Sequence, residues 1–247
     1  MSVNVESGEK RSVPQWAVPL LVIGGMAVGL FFFSDRPVTI EGIPAITSDS
    51  QYDQLNQETQ KRLYNSLINA DRGAELSQAD RDTLASGIPA FKAMCDFKSR
   101  ETGPFFVLSK IYLNLGRSSE AEEVARQAIF NGQDRLAEYK NGKDTVRALE
   151  TATILNEARF VRAQALFNLK NYVESVREMK TVLLTGDPQK LDQPRYLYMV
   201  ARGLLQLNPP DPIAAKSALA DALKIDPNYK AAADLLKFVK TSETAKP

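Results

Sequence analysis

The chain has 247 residues, 44% of them hydrophobic and 25% charged, with a formal net charge of +1. That balance is ordinary for a globular protein and supplies no excess of Lys and Arg to neutralise phosphates, which argues against a nucleic-acid partner. Histidine is absent and Cys95 is the one cysteine, so the commonest general base and metal ligand are missing and an intramolecular disulfide is excluded.

From the N-terminus, residues 12–34 form an uncharged run between Arg11 and Asp35. At about 1.5 Å per residue, such a run crosses a hydrocarbon core of about 30 Å. Trp16 near one end and Phe31–Phe33 near the other suit the two bilayer interfaces. The run is longer than the apolar part of a signal peptide and ends without A-x-A, so an uncleaved membrane helix is preferred to a cleaved leader. Lys10 and Arg11 precede it and only Arg36 follows closely, which leaves residues 1–11 in the cytoplasm and exports the rest. A bacterial inner membrane with the domain facing the periplasm fits best. Gly25 and Gly29 match G-x-x-x-G, a pattern that lets two membrane helices approach, although glycine is common in such helices anyway.

Residues 35–50 mix Pro, Gly and β-branched residues and read as an extended linker. Gln51–Ala70 predicts a helix with Leu55, Leu63, Leu67 and Ile68 on its buried side. Ser77 followed by Asp80 resembles a capping box opening a second helix. Gly87 and Pro89 predict a break in it, with a short continuation through Phe91, Met94 and Phe97. Cys95 lies in that apolar company and suits a small buried residue. Residues 51–100 together read as capping helices.

Three later stretches each carry an apolar helical face, a turn and a second apolar face: Pro104–Ile129, Ala158–Leu183 and Arg195–Pro227. Small residues recur in them as pairs: Ser109 with Ala121, Ala163 with Ser175, and Ala201 with Ala215. Two helices of a hairpin can approach closely only where side chains are small, so the pairs are a geometric requirement. A large residue follows the first small one three places on, at Tyr112, Leu166 and Leu204, and turns fall at Gly116, Asn171-Tyr172 and Asn208–Pro212.

These features resemble tetratricopeptide repeats. The resemblance implies an all-α fold, an α-solenoid of helical hairpins, with repeats near 102–132, 156–188 and 194–227 in a domain spanning 101–240. Residues 228–240, with Ala232, Leu235, Leu236 and Val239 on one side, close the stack, and 241–247 form a flexible tail. Leu169-Lys170 departs from the family at a turn that usually carries glycine, as do Arg159 and Arg162 where apolar residues are usual. Residues 133–151 read as an insertion between two repeats, an exposed turn at 139–144 flanked by short helical pieces.

No catalytic, cofactor-binding or metal-ligating constellation is legible, and no enzyme activity is expected. Glu122-Glu123 reads as a solvated helix face. The resemblance implies protein partners instead, bound as a peptide or helix in a groove lined by the first helix of each repeat. Its places here are Phe106 and Lys110, Phe160 and Gln164, and Tyr198 and Arg202. The same aromatics suit packing between repeats equally well. The Lys-and-Asn arrangement with which some family members hold a C-terminal carboxylate is not reproduced, since Phe106 takes the lysine place. The reading that follows is a single-pass membrane protein whose repeats act as a scaffold, assembly factor or accessory subunit of an envelope or membrane complex. The alternative is a structural subunit held mainly by residues 12–34 in the lipid bilayer.

Overall fold

The computed structural model describes residues 46–71, 75–186 and 192–244. Among these, the elements are α1 Asp49–Asp71, α2 Gln78–Phe97, α3 Thr102–Asn114, α4 Ser118–Asn141, α5 Thr145–Asn168, α6 Tyr172–Thr185, α7 Gln193–Leu205, α8 Pro212–Ile225 and α9 Lys230–Thr244. Successive helices pack on one another as a run of hairpins, α3 with α4, α5 with α6 and α7 with α8. Each neighbour covers an apolar face that a lone hairpin would leave wet.

The helix ends follow from local chemistry. Ser77 Oγ accepts from the Asp80 amide at the start of α2, Asp144 and Asn171 cap α5 and α6, and Asp192 and Asp211 cap α7 and α8 just before a proline in the first turn. The turns after α3, α4 and α5 share one geometry. An amide returns to a carbonyl five residues back, Arg117 to Tyr112, Asp144 to Tyr139 and Asn171 to Leu166, around a residue of positive φ. Gly116 holds that place after α3, and Lys143 and Lys170 hold it after α4 and α5.

The small pairs sit at the closest helix approaches. Ser109, Ala121, Ala163, Ser175, Ala201 and Ala215 are all buried. Ser175 Oγ donates to the Ala163 carbonyl at 2.8 Å, so that pair is tied as well as packed.

Two apolar cores result. One runs from Tyr52 to Ala165 and the other from Phe160 to Ala232. Helix α5 belongs to both: Leu155, Ala158, Val161 and Ala165 enter the first, while Phe160 and Ala163 enter the second. At this seam Glu178 of α6 accepts from Arg159 at 2.8 Å and also pairs with Arg162, whose Nε donates to Glu122 of α4 at 2.8 Å. The two arginines that break the apolar pattern are therefore neutralised across three helices. Glu122 is part of this network rather than of a solvated face, because α5 lies over it; its neighbour Glu123 is exposed and pairs with Arg126.

Three further expectations are corrected. Helix α2 does not break at Pro89. Pro89 and Ala85 are both exposed, so the carbonyl left without its amide partner faces water and the helix runs on. Gly87 is no breaker either. A Cβ there would stand 2.5 Å from Leu63 Cδ1, so the glycine lets α2 lie directly on α1. Residues 133–151 do carry an exposed turn, at Gly142–Asp144, but the helical pieces flanking it are not short, since they lengthen α4 and α5 to 24 residues each. Leu136 of that extension and Ile154 just beyond it pack against the first core, and Arg135 reaches Glu101 at 3.0 Å, which is what makes helix rather than loop. At the C-terminal end, α9 continues to Thr244, so residues 241–244 are helical.

The single-pass localisation is also corrected. Among the described residues no helix is long and apolar enough to cross a membrane. Residues 12–34, with Gly25 and Gly29, lie outside the described residues. The bilayer contact, the exported orientation and the alternative of a subunit held by that helix therefore have no structural basis and are not carried forward.

Candidate protein-binding face

Helices α3, α5 and α7 are the first helices of the three hairpins, and side chains from them meet across the stack. Phe160 of α5 and Tyr196 of α7 stand edge to face at 5.2 Å, with the Arg195 guanidinium 3.7 Å above the Phe160 ring. Glu157 closes this group. It receives Tyr196 Oη at 2.7 Å and Arg195 Nη2 at 3.2 Å. Burial, with Glu157 adding to it, holds the Tyr196 phenol well above its usual range.

Two turns further along α7, Arg202 lies 4.5 Å over the Phe167 ring and 5.7 Å from that of Tyr198. Phe167 meets Tyr172 edge to face at 5.2 Å, and Tyr198 meets Tyr229 at 5.6 Å. These five side chains form a continuous row, each half-buried. Desolvation, helped by Asp192, pushes the Tyr229 phenol up to about 12, so Tyr229 is a neutral hydrogen-bonding group at physiological pH.

The six residues singled out by resemblance are placed unequally. Phe106 and Phe160 are each 6% exposed and belong to different cores, so they form floor rather than contact surface. Lys110 is half-buried with its amine 5.5 Å over the Phe106 ring, and Gln164 is half-buried on α5. Tyr198 and Arg202 come together in the row just described. Phe167, Tyr229, Arg195 and Glu157 belong to the same face and escaped the sequence reading. Seven residues separate Phe160 from Phe167 and Arg195 from Arg202.

Among the described residues, no group of three His, Cys, Asp or Glu is placed to hold a metal ion. Cys95 is buried, and desolvation with the nearby Asp96 pushes its thiol up to about 12, so the nucleophilic thiolate is scarce. An open cleft of about 370 Å³ bounded by Leu183, Leu197 and Ile225 contains Asp221, Lys224 and Gln193 as its polar groups, without a nucleophile and base in register.

Residues 104–129 match the family model for the tetratricopeptide repeat. That segment is α3 with the first half of α4. No curated protein matches the chain. Among solved structures, the crystal structure of the P58(IPK) tetratricopeptide-repeat domain is similar, with a TM-score of 0.32 and 15% identity, over 76% of this chain and 66% of that one. The chain thus spans just under two thirds of that domain. The match makes α3 with the first half of α4 similar to a single tetratricopeptide repeat, and the hairpins stacked beside it give the described residues an α-solenoid form.

Proposed function

We propose that the chain is a protein-binding scaffold that holds a segment of its partner against the face built by α3, α5 and α7. The observation that carries this reading is the half-exposed row Tyr172, Phe167, Arg202, Tyr198 and Tyr229. Aromatic and arginine side chains are enriched at the centres of interfaces. Here each ring is held by the next, so little side-chain entropy remains to be lost on binding. Scaffold, assembly factor and accessory subunit are all uses of this one face. Phe106 and Phe160 shape its floor, and the accessible groups above them are Lys110 and Gln164.

A comparison of two surface variants tests the reading. Gln164→Ala with Tyr198→Ala and Arg202→Ala removes half-exposed groups of this face without emptying either core. Val173→Ser with Ile213→Ser changes exposed apolar residues on the second helices. With both variants folded by circular dichroism, the first loses a co-purifying partner and the second keeps it. Retention by the first variant sinks the proposal.

A further inference from the structure

Helices α5 and α7 carry the same constellation twice, seven residues apart. In the first copy Arg195 lies over Phe160 and pairs with Glu157. In the second Arg202 lies over Phe167, and the place of Glu157 is taken by Gln164. Seven residues are about two helical turns, so each member falls on the same face as its counterpart. The phenol of Tyr196, which donates to Glu157, has no counterpart either, because Gly203 stands there. The first copy is closed by its own carboxylate. The second keeps the cation and the ring and lacks the acid.

Arg202 makes one weak polar contact, from Nη1 to Met199 Sδ at 3.7 Å, besides its two aromatic rings. Among the described residues no carboxylate lies within ion-pair distance of it. A half-buried guanidinium has given up part of its water and gains most from a charge-assisted partner of fitting geometry.

Resting on the protein-binding reading above, we infer that Arg202 receives a carboxylate from the partner. The occupant is an acidic peptide segment whose Asp or Glu completes the second constellation as Glu157 completes the first. Carboxylate is favoured over other anions because Glu157 already fills the equivalent place. Tyr198 and Tyr229 alongside suit an apolar residue next to that acid.

Fluorescence polarisation with a labelled peptide of repeating Gly-Leu-Glu, against its Gly-Leu-Gln counterpart, tests this on the full chain. The wild type binds the acidic peptide at least about ten-fold more tightly than the amide. Arg202→Gln removes that preference. Gln164→Glu removes it too, because the introduced acid closes the constellation internally, and it does so without lowering the melting temperature. Equal binding of the two peptides by the wild type, a preference that survives Gln164→Glu, or no binding of either at about 1 mM overturns the inference. Should the preference be absent while the Gln164, Tyr198 and Arg202 alanine variant still loses its partner, the face binds proteins through other chemistry and only the acidic specificity falls. Should that variant keep its partner, the face itself is wrong.

Discussion

Glu178 of α6 and Arg159 of α5 meet at 2.8 Å with 6% and 12% of their side chains exposed. Arg162, 17% exposed, shares the same carboxylate. Glu178 is thus shared by two guanidiniums at the seam between the two cores, with Glu122 as the second acid of the network. Glu178→Gln leaves Arg159 with a neutral partner and Arg162 with Glu122 alone, in a place water hardly reaches, and stability falls by about 3 kcal/mol. Replacing Glu178 by Leu together with Arg159 and Arg162 by Met avoids most of that loss, since an apolar seam of similar volume carries no desolvation penalty. Urea denaturation of the three proteins checks both steps.

Gly203 carries a second stability prediction. A Cβ there would fall 2.4 Å from Val176 Cγ2, and valine has little rotamer freedom with which to yield. Gly203→Ala therefore destabilises the chain by about 1–3 kcal/mol despite the better helix propensity of alanine. Adding Val176→Ala returns part of it, a coupling readable in a double-mutant cycle.

Both features bear on what the sequence could reveal. Periodicity and the small pairs located the hairpins, because burial at a close helix approach demands small residues at fixed places whatever the partner. The glycines were ambiguous. Gly87 and Gly203 look like flexibility in a sequence and act as close-packing sites, and only the position of Leu63 or Val176 tells the two apart. Pro89 signals a break by its missing amide, yet that signal says nothing of whether the freed carbonyl faces water. The long α4 and α5 were hidden because their extensions are polar outside and are held by distant contacts such as Arg135 with Glu101. At the candidate face, Tyr198 and Arg202 were legible through resemblance to the repeat family, which places groove residues within one helix. Phe167 and Tyr229 were not, since their contacts to Arg202 and Tyr198 cross between helices.

Lys170 has a φ of 64° at the turn between α5 and α6, where Gly116 serves the equivalent turn after α3 at 75°. The left-handed region is costly for a side chain with a Cβ and nearly free for glycine. Lys170→Gly raises stability by about 0.5–1 kcal/mol, with the loss of unfolded-chain restriction already counted against the gain. Thermal unfolding decides it, and a lower melting temperature contradicts it.

Asp192 caps α7 by accepting from the Arg195 amide at 3.4 Å. Burial raises its carboxyl above the ordinary range, although Arg195 draws it the other way. A carboxyl raised in the fold favours the folded state most when protonated, so its contribution is complete below its unfolded pKa and fades as pH rises through the folded value. Asp192→Asn keeps the cap and removes the charge. The variant is more stable than the wild type at pH 7, and the gap closes on acidification to below about pH 3.9, the unfolded carboxylate value. Melting temperature against pH measures this; a gap that widens in acid contradicts it.

The central claim is that partners dock on the α3, α5 and α7 face. Site-specific photo-crosslinking tests it most directly, with benzoylphenylalanine placed at Tyr198 in one protein and at the exposed Val173 of α6 in another. The account predicts a discrete crosslinked protein from position 198 and none from position 173. The same adduct from position 173 with none from position 198 would contradict it.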